Sequence, residues 1–293
     1  MTTEPRWLIG LELSPRCGGA LQFARFLRRT IHARVGGVYV QELWLTGVPP
    51  GEAAAYAFRL RAEAEKWLDT LAAGAPEAAV DATEILDQID AETGLASIGR
   101  GAAGILVGRR VAGERSWSHL GRVARRLLRS LPAPVIVVPP ELASDAFAGP
   151  VVFASDLTAA SVGAARFATA LARALDRRLV CVHMGEPRWS ESFDYTKTRW
   201  QELRRQYREA TDQAALAWVT EHCASAELVI EYGTPVDQLP AIAARLEACL
   251  LVVGSKRLGL VERIFTGSTA SAVAATATCA VAVVPPDAPF SGV

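Results

Sequence analysis

The stretch LLVVGSKRLGLVERIFTGST, residues 250–269, contains the signals of a strand, a glycine-rich loop and a helix start in direct succession. Residues 250–253 form a short apolar run with β-branched side chains that ends at Gly254, as expected of a parallel strand buried on both faces. Residues 267–269 then open a long uncharged segment, so that free backbone N–H groups and two hydroxyls would lie together at one helix start. Such a helix start binds anions. From these residues alone, a site for a phosphate-bearing ligand and a simple turn with a helix N-cap both remain open.

The composition is that of an ordinary globular protein. A length of 293 residues corresponds to about two domains of ~100–200 residues each. The 31 Lys and Arg residues balance 31 Asp and Glu residues, so the chain has no overall positive field that would attract nucleic acid. Residues 1–10 lack the apolar run of a signal peptide, and no segment approaches the ~18 apolar residues of a membrane span. We therefore expect a cytoplasmic protein with neither a nucleic-acid nor a membrane partner.

Cysteine and histidine residues do not follow a metal-binding pattern. The five cysteines are scattered and include no CxxC pair, which indicates reduced, mostly buried thiols. The four histidines show no HExxH spacing. We expect no metal site.

The chain contains an internal repeat. The segment PVIVVPP at residues 134–140 recurs as AVAVVPP at residues 280–286, which is 146 residues later, and two glycines recur at the same spacing, Gly108 with Gly254 and Gly121 with Gly267. Two earlier pairs lie 144 residues apart, ELSP with DLTA from residues 12 and 156, and VYVQE with VHMGE from residues 38 and 182. Agreement at five places indicates a tandem duplication. Residues 139–150, PPELASDAFAGP, would form the linker.

Each half alternates strands with helices. Such alternation implies parallel strands with helices on both faces. We predict an α/β fold of two doubly wound, five-stranded, mostly parallel sheets, in domains 1–140 and 150–293 that are related by a pseudo-twofold axis near the two VVPP strands. Strands are predicted at residues 7–11, 35–40, 80–86, 104–107 and 135–138, and at 151–155, 179–183, 227–232, 250–253 and 281–284. Helices are predicted at residues 17–30, 52–71, 91–99 and 120–131, and at 163–175, 198–222, 236–246 and 268–278.

With these landmarks in place, the chain resembles the universal stress protein family over nearly its full length, as a tandem two-domain member with an adenine-nucleotide alpha hydrolase-like fold. The family's nucleotide pattern is a glycine, two residues, a second glycine, nine residues, and then glycine with serine or threonine, preceded by an aspartate after the first strand. In the second half Asp156, Gly254, Gly267 and Ser268 match this pattern, whereas Arg257 stands at the second glycine. The Gly-Thr-Pro segment at residues 233–235 also resembles the family's turn before the third helix.

The first half departs further from the family pattern. Gly108 and Gly121 match, but Glu12, Val111 and Arg122 replace the aspartate, the second glycine and the hydroxyl. The resemblance therefore implies a degenerate site in the first half. The resemblance also implies at most one nucleotide per chain.

The ligand that the resemblance implies is ATP-like, with Mg²⁺ held only through the nucleotide. The implied nucleotide-binding residues are Asp156, Met184, Gly254, Lys256, Arg257, Gly267, Ser268 and Thr269. Arg257 would either block the groove or pair with phosphate together with Lys256, and we favour pairing. Asp156 would either hydrogen-bond a sugar or base or cap the following turn, and the resemblance favours the ligand.

The leading functional hypothesis is a cytoplasmic nucleotide-binding stress or regulatory protein. The alternatives are a ligand-free interaction scaffold with two degenerate sites and a slow ATP hydrolase. The sequence has no GxxxxGK[ST] or GxSxG motif, and its GxGxxG match at residues 99–104 follows a predicted helix and precedes a predicted strand, the reverse of the dinucleotide-binding order; we therefore name no catalytic residue. A homodimer or another protein partner is compatible with this hypothesis. Four arginines at helical spacing, Arg122, Arg125, Arg126 and Arg129, favour a solvated helix face over an anionic docking surface.

Overall fold

The computed structural model of the chain describes residues 6–12, 14–42, 50–72, 78–88, 90–110, 120–185, 197–255 and 269–288. The first half contains β1 (Arg6–Leu11), α1 (Gly18–Ile31), β2 (Arg34–Glu42), α2 (Pro50–Ala72), β3 (Ala82–Gln88), α3 (Ala91–Ile98), β4 (Gly104–Gly108), α4 (Arg122–Ser130) and β5 (Val135–Val138). The second half contains β6 (Val151–Ser155), α5 (Val162–Ala174), β7 (Leu179–Gly185), α6 (Lys197–His222), β8 (Glu227–Tyr232), α7 (Pro235–Arg245), β9 (Leu250–Gly254), α8 (Thr269–Thr276) and β10 (Ala280–Val284). The predicted alternation of strands and helices is confirmed.

The third strand begins two residues later than the sequence pattern predicts. Asp81, which precedes β3, accepts a hydrogen bond from the backbone N–H of Val35 at 2.6 Å and forms an ion pair with Arg28 at 2.6 Å. These contacts hold Ala79 and Val80 in a buried segment that is not part of the strand. Because this segment is apolar, the sequence pattern placed the start of the strand too early.

The strands of the described residues form one sheet in the order β3-β2-β1-β4-β5-β10-β9-β6-β7-β8. Every neighbouring pair is parallel except β5 and β10, which are antiparallel. The α/β class and the two five-stranded, mostly parallel halves are therefore confirmed. The structure adds that the two halves share one continuous sheet.

The junction has the register of a twofold axis. Ile136 lies opposite Ala282, its own equivalent in the repeat, and Val135 lies opposite Val283 while Val137 lies opposite Val281. Because equivalent positions are 146 residues apart, the last two pairings exchange under a twofold operation about the first. This is the self-complementary pairing of an isologous interface, here within a single chain.

Two hydrophobic clusters cover the two faces of the sheet, as expected for a parallel sheet. Neighbouring strand residues alternate between them, so that Trp7 and Ile9 belong to one cluster and Leu8 to the other. Each cluster contains residues of both halves. Helices α1, α2, α5 and α6 contribute to the first cluster through Phe23, Leu68, Phe167 and Val219, and helices α3, α4, α7 and α8 contribute to the second through Leu95, Leu127, Leu239 and Val273.

Within the ranges that the structure describes, the helices are all too short or too polar to cross a membrane.

Candidate functional site

In each half the strand order changes direction at one point. Strands β1 and β4 are neighbours in the first half, as are β6 and β9 in the second, and from each pair the chain continues outward in opposite directions. Ligands of open α/β sheets bind outside the carboxyl ends of the strands at such switch points. The residues after β1, β4, β6 and β9 are therefore the candidate site residues.

Asp156 follows β6 directly and organises the turn into α5. Its Oδ1 accepts hydrogen bonds from the Thr158 N–H at 3.0 Å, from the Thr158 hydroxyl at 2.6 Å and from the Ser161 hydroxyl at 2.8 Å. Side-chain acceptance of this kind stabilises a tight turn, and Leu157 within it has a positive φ of 59°. Capping of the turn is thus confirmed, and a ligand role for Asp156 stays a prediction.

Gly254 ends β9 beside this turn. A Cβ built on Gly254 would lie 3.5 Å from the Ser161 hydroxyl oxygen and 3.6 Å from the Ala164 Cβ, which are ordinary contact distances. Packing in the described part of the chain therefore does not require a glycine here. The structure brings Gly254 and the Asp156 turn together at the switch point of the second half.

The remaining predicted site residues divide into two groups. Met184 lies near the end of β7 with 9% of its surface exposed, and Thr269 is the exposed first residue of α8. Four others lie outside the described residues, namely Lys256, Arg257, Gly267 and Ser268. Their predicted roles are therefore not tested by the structure.

The equivalent crevice of the first half forms a cavity of about 440 Å³. Its wall comes from the ends of β1, β2 and β4, from α3 and from the start of α4. Two of the replaced motif residues, Glu12 and Arg122, line this cavity, whereas Val111 lies outside the described residues. The degenerate motif therefore surrounds an open volume.

Arg122, at the position of the motif hydroxyl, is paired within the chain. Its guanidinium donates to a carboxylate oxygen of Glu42 at the end of β2. The same Glu42 oxygen accepts the backbone N–H of Ala91, the first residue of α3, at 3.2 Å. The Arg122 guanidinium is therefore already paired with a carboxylate of the chain.

Gln41, which also lines the cavity, is only 6% exposed. Its Nε2 donates to the Ala57 carbonyl at 2.9 Å, but its Oε1 is buried and accepts no hydrogen bond from the described residues. Sequence analysis did not single out this residue. In the repeat Gln41 aligns with Gly185, which has no side chain.

Arg109, directly after β4, connects the first-half loop to the second half. Its Nη1 donates to the carbonyls of Ala275 at 3.0 Å and Ala277 at 2.7 Å, at the end of α8. A cation at this end of a helix satisfies free carbonyls and opposes the helix dipole. Burial lowers the pKa of Arg109. The helix that begins at the predicted nucleotide site is therefore capped from the other half.

The arginine stripe of α4 is a solvated face, as predicted. All four arginines are exposed, while Ala124, Leu127 and Leu128 on the other side of the helix are buried. Arg126 forms an ion pair with Glu92 at 2.6 Å on the neighbouring helix α3.

Two doubly wound halves, each with a topological switch point, define an α/β protein of the tandem open-sheet class. The model of the universal stress protein family matches residues 6–139 and 149–285, and the chain therefore belongs to that family. Curated proteins offer no significant match to the chain.

Solved structures that cover nearly the whole chain share this fold. The chain is similar to a universal stress protein from Archaeoglobus fulgidus, with 20% identity, a TM-score of 0.69, and coverage of 96% of this chain and 98% of that one. It is also similar to a functionally unknown protein from Pseudomonas aeruginosa PAO1, with 17% identity, a TM-score of 0.61, and coverage of 97% and 94%. A universal stress protein solved in complex with cAMP is 26% identical over 47% of this chain and 98% of its own, with a TM-score of 0.33.

Proposed function

We propose that this protein is a cytoplasmic stress-response or regulatory protein that binds one adenine nucleotide, of the ATP type, in its second half. The observation that carries the proposal is the meeting of Gly254, the Asp156 turn and the β6–β9 switch point, with Thr269 opening a helix that has no charged side chain. Open α/β sheets bind their ligands at this position. Five free and buried cysteines agree with a reducing compartment such as the cytoplasm.

Each residue of the proposed site has a distinct role. Gly254 lets the ligand approach the strand end, where described neighbours leave space. Asp156 holds the turn that borders the ligand and offers its carboxylate to the sugar or base. Met184 supplies an apolar contact from β7. The free N–H groups at the start of α8, with Gly267, Ser268 and Thr269, bind phosphate, and Lys256 and Arg257 neutralise it. Any Mg²⁺ arrives with the nucleotide, and the proposal includes no catalytic step.

Calorimetric titration of the full chain with ATP tests this proposal. We expect one site per chain, which Gly267→Val abolishes by placing a branched side chain at the helix start. The matched control is Gly121→Val at the equivalent position of the first half, where the nearest atom to a new Cβ is the Arg110 Cγ at 3.9 Å. Two equivalent sites, or loss of binding in the control alone, would contradict the proposal.

The role of Arg257 separates two versions of the site. If the guanidinium pairs with phosphate, Arg257→Ala weakens binding by about 1.5–3 kcal/mol, the range for hydrogen bonds to charged groups. If the side chain instead obstructs the groove, Arg257→Gly tightens binding, because the backbone regains close approach. We expect the first result, and unchanged affinity in both variants would remove Arg257 from the site.

One observation favours the alternative of a ligand-free interaction scaffold. Three hydrogen bonds from the following turn already occupy one oxygen of Asp156. Native mass spectrometry of freshly purified protein distinguishes the two functions. A retained mass of one nucleotide supports binding, whereas a bare chain that also fails to bind added ATP supports the scaffold.

A further inference from the structure

Two cysteines of the second half lie against each other in the hydrophobic cluster to which α5 and α6 contribute. Cys181 lies within β7, and Cys223 is the residue directly after α6. Both belong to the same cluster of buried side chains, and their thiols are within hydrogen-bonding reach of one another. The strand register agrees with this contact, because Cys181 lies beside Phe153 of β6, whose ring packs against Trp218 of α6. The packing of α6 on the sheet therefore brings the two thiols together.

The three other cysteines are placed differently. Cys249 and Cys279 directly precede the neighbouring strands β9 and β10, but they belong to the clusters on opposite faces of the sheet. Cys17 lies in the first half, where its thiol donates to backbone carbonyls. A disulfide requires two sulfurs that face each other at close range. Cys181 and Cys223 are therefore the pair that is suited to form one.

The contact makes the two thiols unequal. Hydrogen bonding from Cys181 lowers the pKa of Cys223, whereas the same contact together with burial raises the pKa of Cys181. The thiolate is the form that reacts with oxidants. Cys223 is therefore the nucleophile of the pair, and Cys181 is the thiol that reacts second.

Cys223 also lies nearer to solvent. It is 2% exposed and Cys181 is 0% exposed, but the two residues that follow Cys223, Ala224 and Ser225, are both exposed. The backbone N–H of Cys223 donates to the Val219 carbonyl in the last turn of α6, at 2.9 Å. Helix ends fray, and local opening requires much less free energy than global unfolding. A small oxidant therefore reaches Cys223 when this helix end opens.

We propose that Cys181 and Cys223 form a reversible disulfide when hydrogen peroxide oxidises them, which links the end of α6 to the sheet. The Cys223 thiolate attacks one peroxide oxygen, so that an S–O bond forms, the O–O bond breaks, and the second oxygen leaves as hydroxide and takes up a proton to become water. The Cys181 sulfur then attacks the sulfur of the Cys223 sulfenic acid. The S–S bond forms, the S–O bond breaks, and the hydroxyl leaves with the Cys181 thiol proton as a second water. Two electrons pass from the two sulfurs to the peroxide, and a dithiol reductant reverses the link by thiol–disulfide exchange.

A reversible link of this kind agrees with a reducing compartment, where disulfides are mostly transient and redox-sensing. It would close a loop of about 40 residues and stabilise the fold chiefly by restricting the unfolded chain. The inference does not depend on nucleotide binding, so its failure and the failure of the proposed function are distinguishable.

The test treats the full, reduced chain with hydrogen peroxide under native conditions. Peptide mass spectrometry is expected to find the Cys181–Cys223 disulfide as the main product, with an intact mass lower by two hydrogens. The midpoint of thermal unfolding is expected to rise by about 3–7 °C. Dithiothreitol is expected to restore both the mass and the midpoint.

Three variants assign the roles of the two thiols. Cys181→Ala keeps the nucleophile without the second thiol, so sulfenic acid is expected to accumulate at Cys223 and to react with dimedone. Cys223→Ala is expected to leave Cys181 reduced and unlabelled. Cys17→Ala removes another buried thiol and is the matched control, in which the disulfide is expected to form at a rate within twofold of the unmutated chain. Thermal unfolding of each reduced variant shows that it is folded.

Three outcomes would overturn the inference. The first is a native protein in which Cys181 and Cys223 stay reduced after peroxide treatment, including one that links them only in urea. The second is a main product in which either residue is joined to Cys17, Cys249 or Cys279. The third is dimedone labelling of Cys181 in the folded Cys223→Ala protein that equals the labelling of Cys223 in the Cys181→Ala protein.

Discussion

Gly108 and Gly254 end equivalent strands in the repeat, yet their surroundings differ. A Cβ on Gly108 would lie 2.6 Å from the backbone carbonyl oxygen of Arg16, whereas among the described residues a Cβ on Gly254 would meet nothing closer than 3.5 Å. In the first half the glycine is therefore required by packing. In the second half the described residues leave space that a ligand could use.

Substitution by alanine should separate these two roles. Gly108→Ala is expected to lower the free energy of unfolding by about 1–3 kcal/mol, because the methyl group is forced against a backbone carbonyl. Gly254→Ala should change it by less than about 0.5 kcal/mol but weaken ATP binding. Urea unfolding followed by circular dichroism measures the free energy of unfolding of each variant. Equal destabilisation by both substitutions would contradict this assignment.

The five cysteines are free and buried, which confirms the prediction from their spacing. Burial raises the pKa of Cys249 and of Cys279 to about 12. The thiolate is the reactive form of cysteine. These two thiols are therefore protected from alkylation, because reagents cannot reach them and because they remain protonated.

Alkylation should report this protection. At pH 8 a thiol with a pKa near 12 is ionised in about one molecule in ten thousand, so iodoacetamide should leave Cys249 and Cys279 unmodified in the native protein. In urea both should react within minutes. Peptide mass spectrometry measures the modified fraction, and rapid labelling of the native protein would show that these strands open readily.

The first helix of each half packs closely against the segment that follows the last strand of the same half. A Cβ on Gly19 in α1 would lie 1.9 Å from the Pro139 carbonyl oxygen, and a Cβ on Gly163 in α5 would lie 2.3 Å from that of Pro286. Each helix thus approaches the chain after β5 or β10 more closely than a side chain allows. This contact explains why the VVPP segments and the helix glycines recur together.

Adjacent glycines in α1 provide a matched test of this packing. Gly19→Ala is expected to destabilise the protein by about 1–3 kcal/mol through overpacking. At Gly18 the new Cβ would lie 3.7 Å from the Pro140 carbonyl oxygen. Gly18→Ala should therefore be neutral or should stabilise by up to about 1 kcal/mol, since alanine favours the helix. Thermal and urea unfolding compare the two, and a stable Gly19→Ala protein would contradict the close approach.

In the whole molecule the two halves are joined by more than a linker. Within the predicted linker, Phe147 is 4% exposed and stacks on Phe26 of α1 at 4.7 Å between ring centroids, while its carbonyl accepts a hydrogen bond from Arg177 at 3.2 Å. The β5–β10 pairing and the capping of α8 by Arg109 add further contacts between the halves. The halves therefore share one core on each face of the sheet.

Separating the halves should expose the edge of β5. A fragment of residues 1–140 would present the fully buried segment VIVV as an unpaired edge strand. Because β5 pairs with its own equivalent in the chain, we expect two fragments to pair antiparallel about Ile136 and form a dimer. Size-exclusion chromatography with light scattering measures the mass. A stable monomer at micromolar concentration would contradict the prediction.

The sequence by itself determined the architecture of this protein. The apolar runs at residues 250–253 and 281–284, their glycine punctuation and their repetition 146 residues apart are local signals, and local signals suffice to predict parallel strands, alternating helices and a duplication. The family pattern likewise identified Asp156 and Gly254 as candidate site residues, and the structure places both at the switch point of the second half.

Only the tertiary structure decided which side chains pair with one another near the switch points. The pairing of Arg122 with Glu42, 80 residues away, and of Arg109 with Ala277, 168 residues away, depends on which strands and helices become neighbours. The Oε1 of Gln41 accepts no hydrogen bond from the described residues, and this too is visible only from the positions of residues that are distant in the sequence. Periodicity records which face of an element is buried, whereas the order of elements in the sheet decides which side chains meet there.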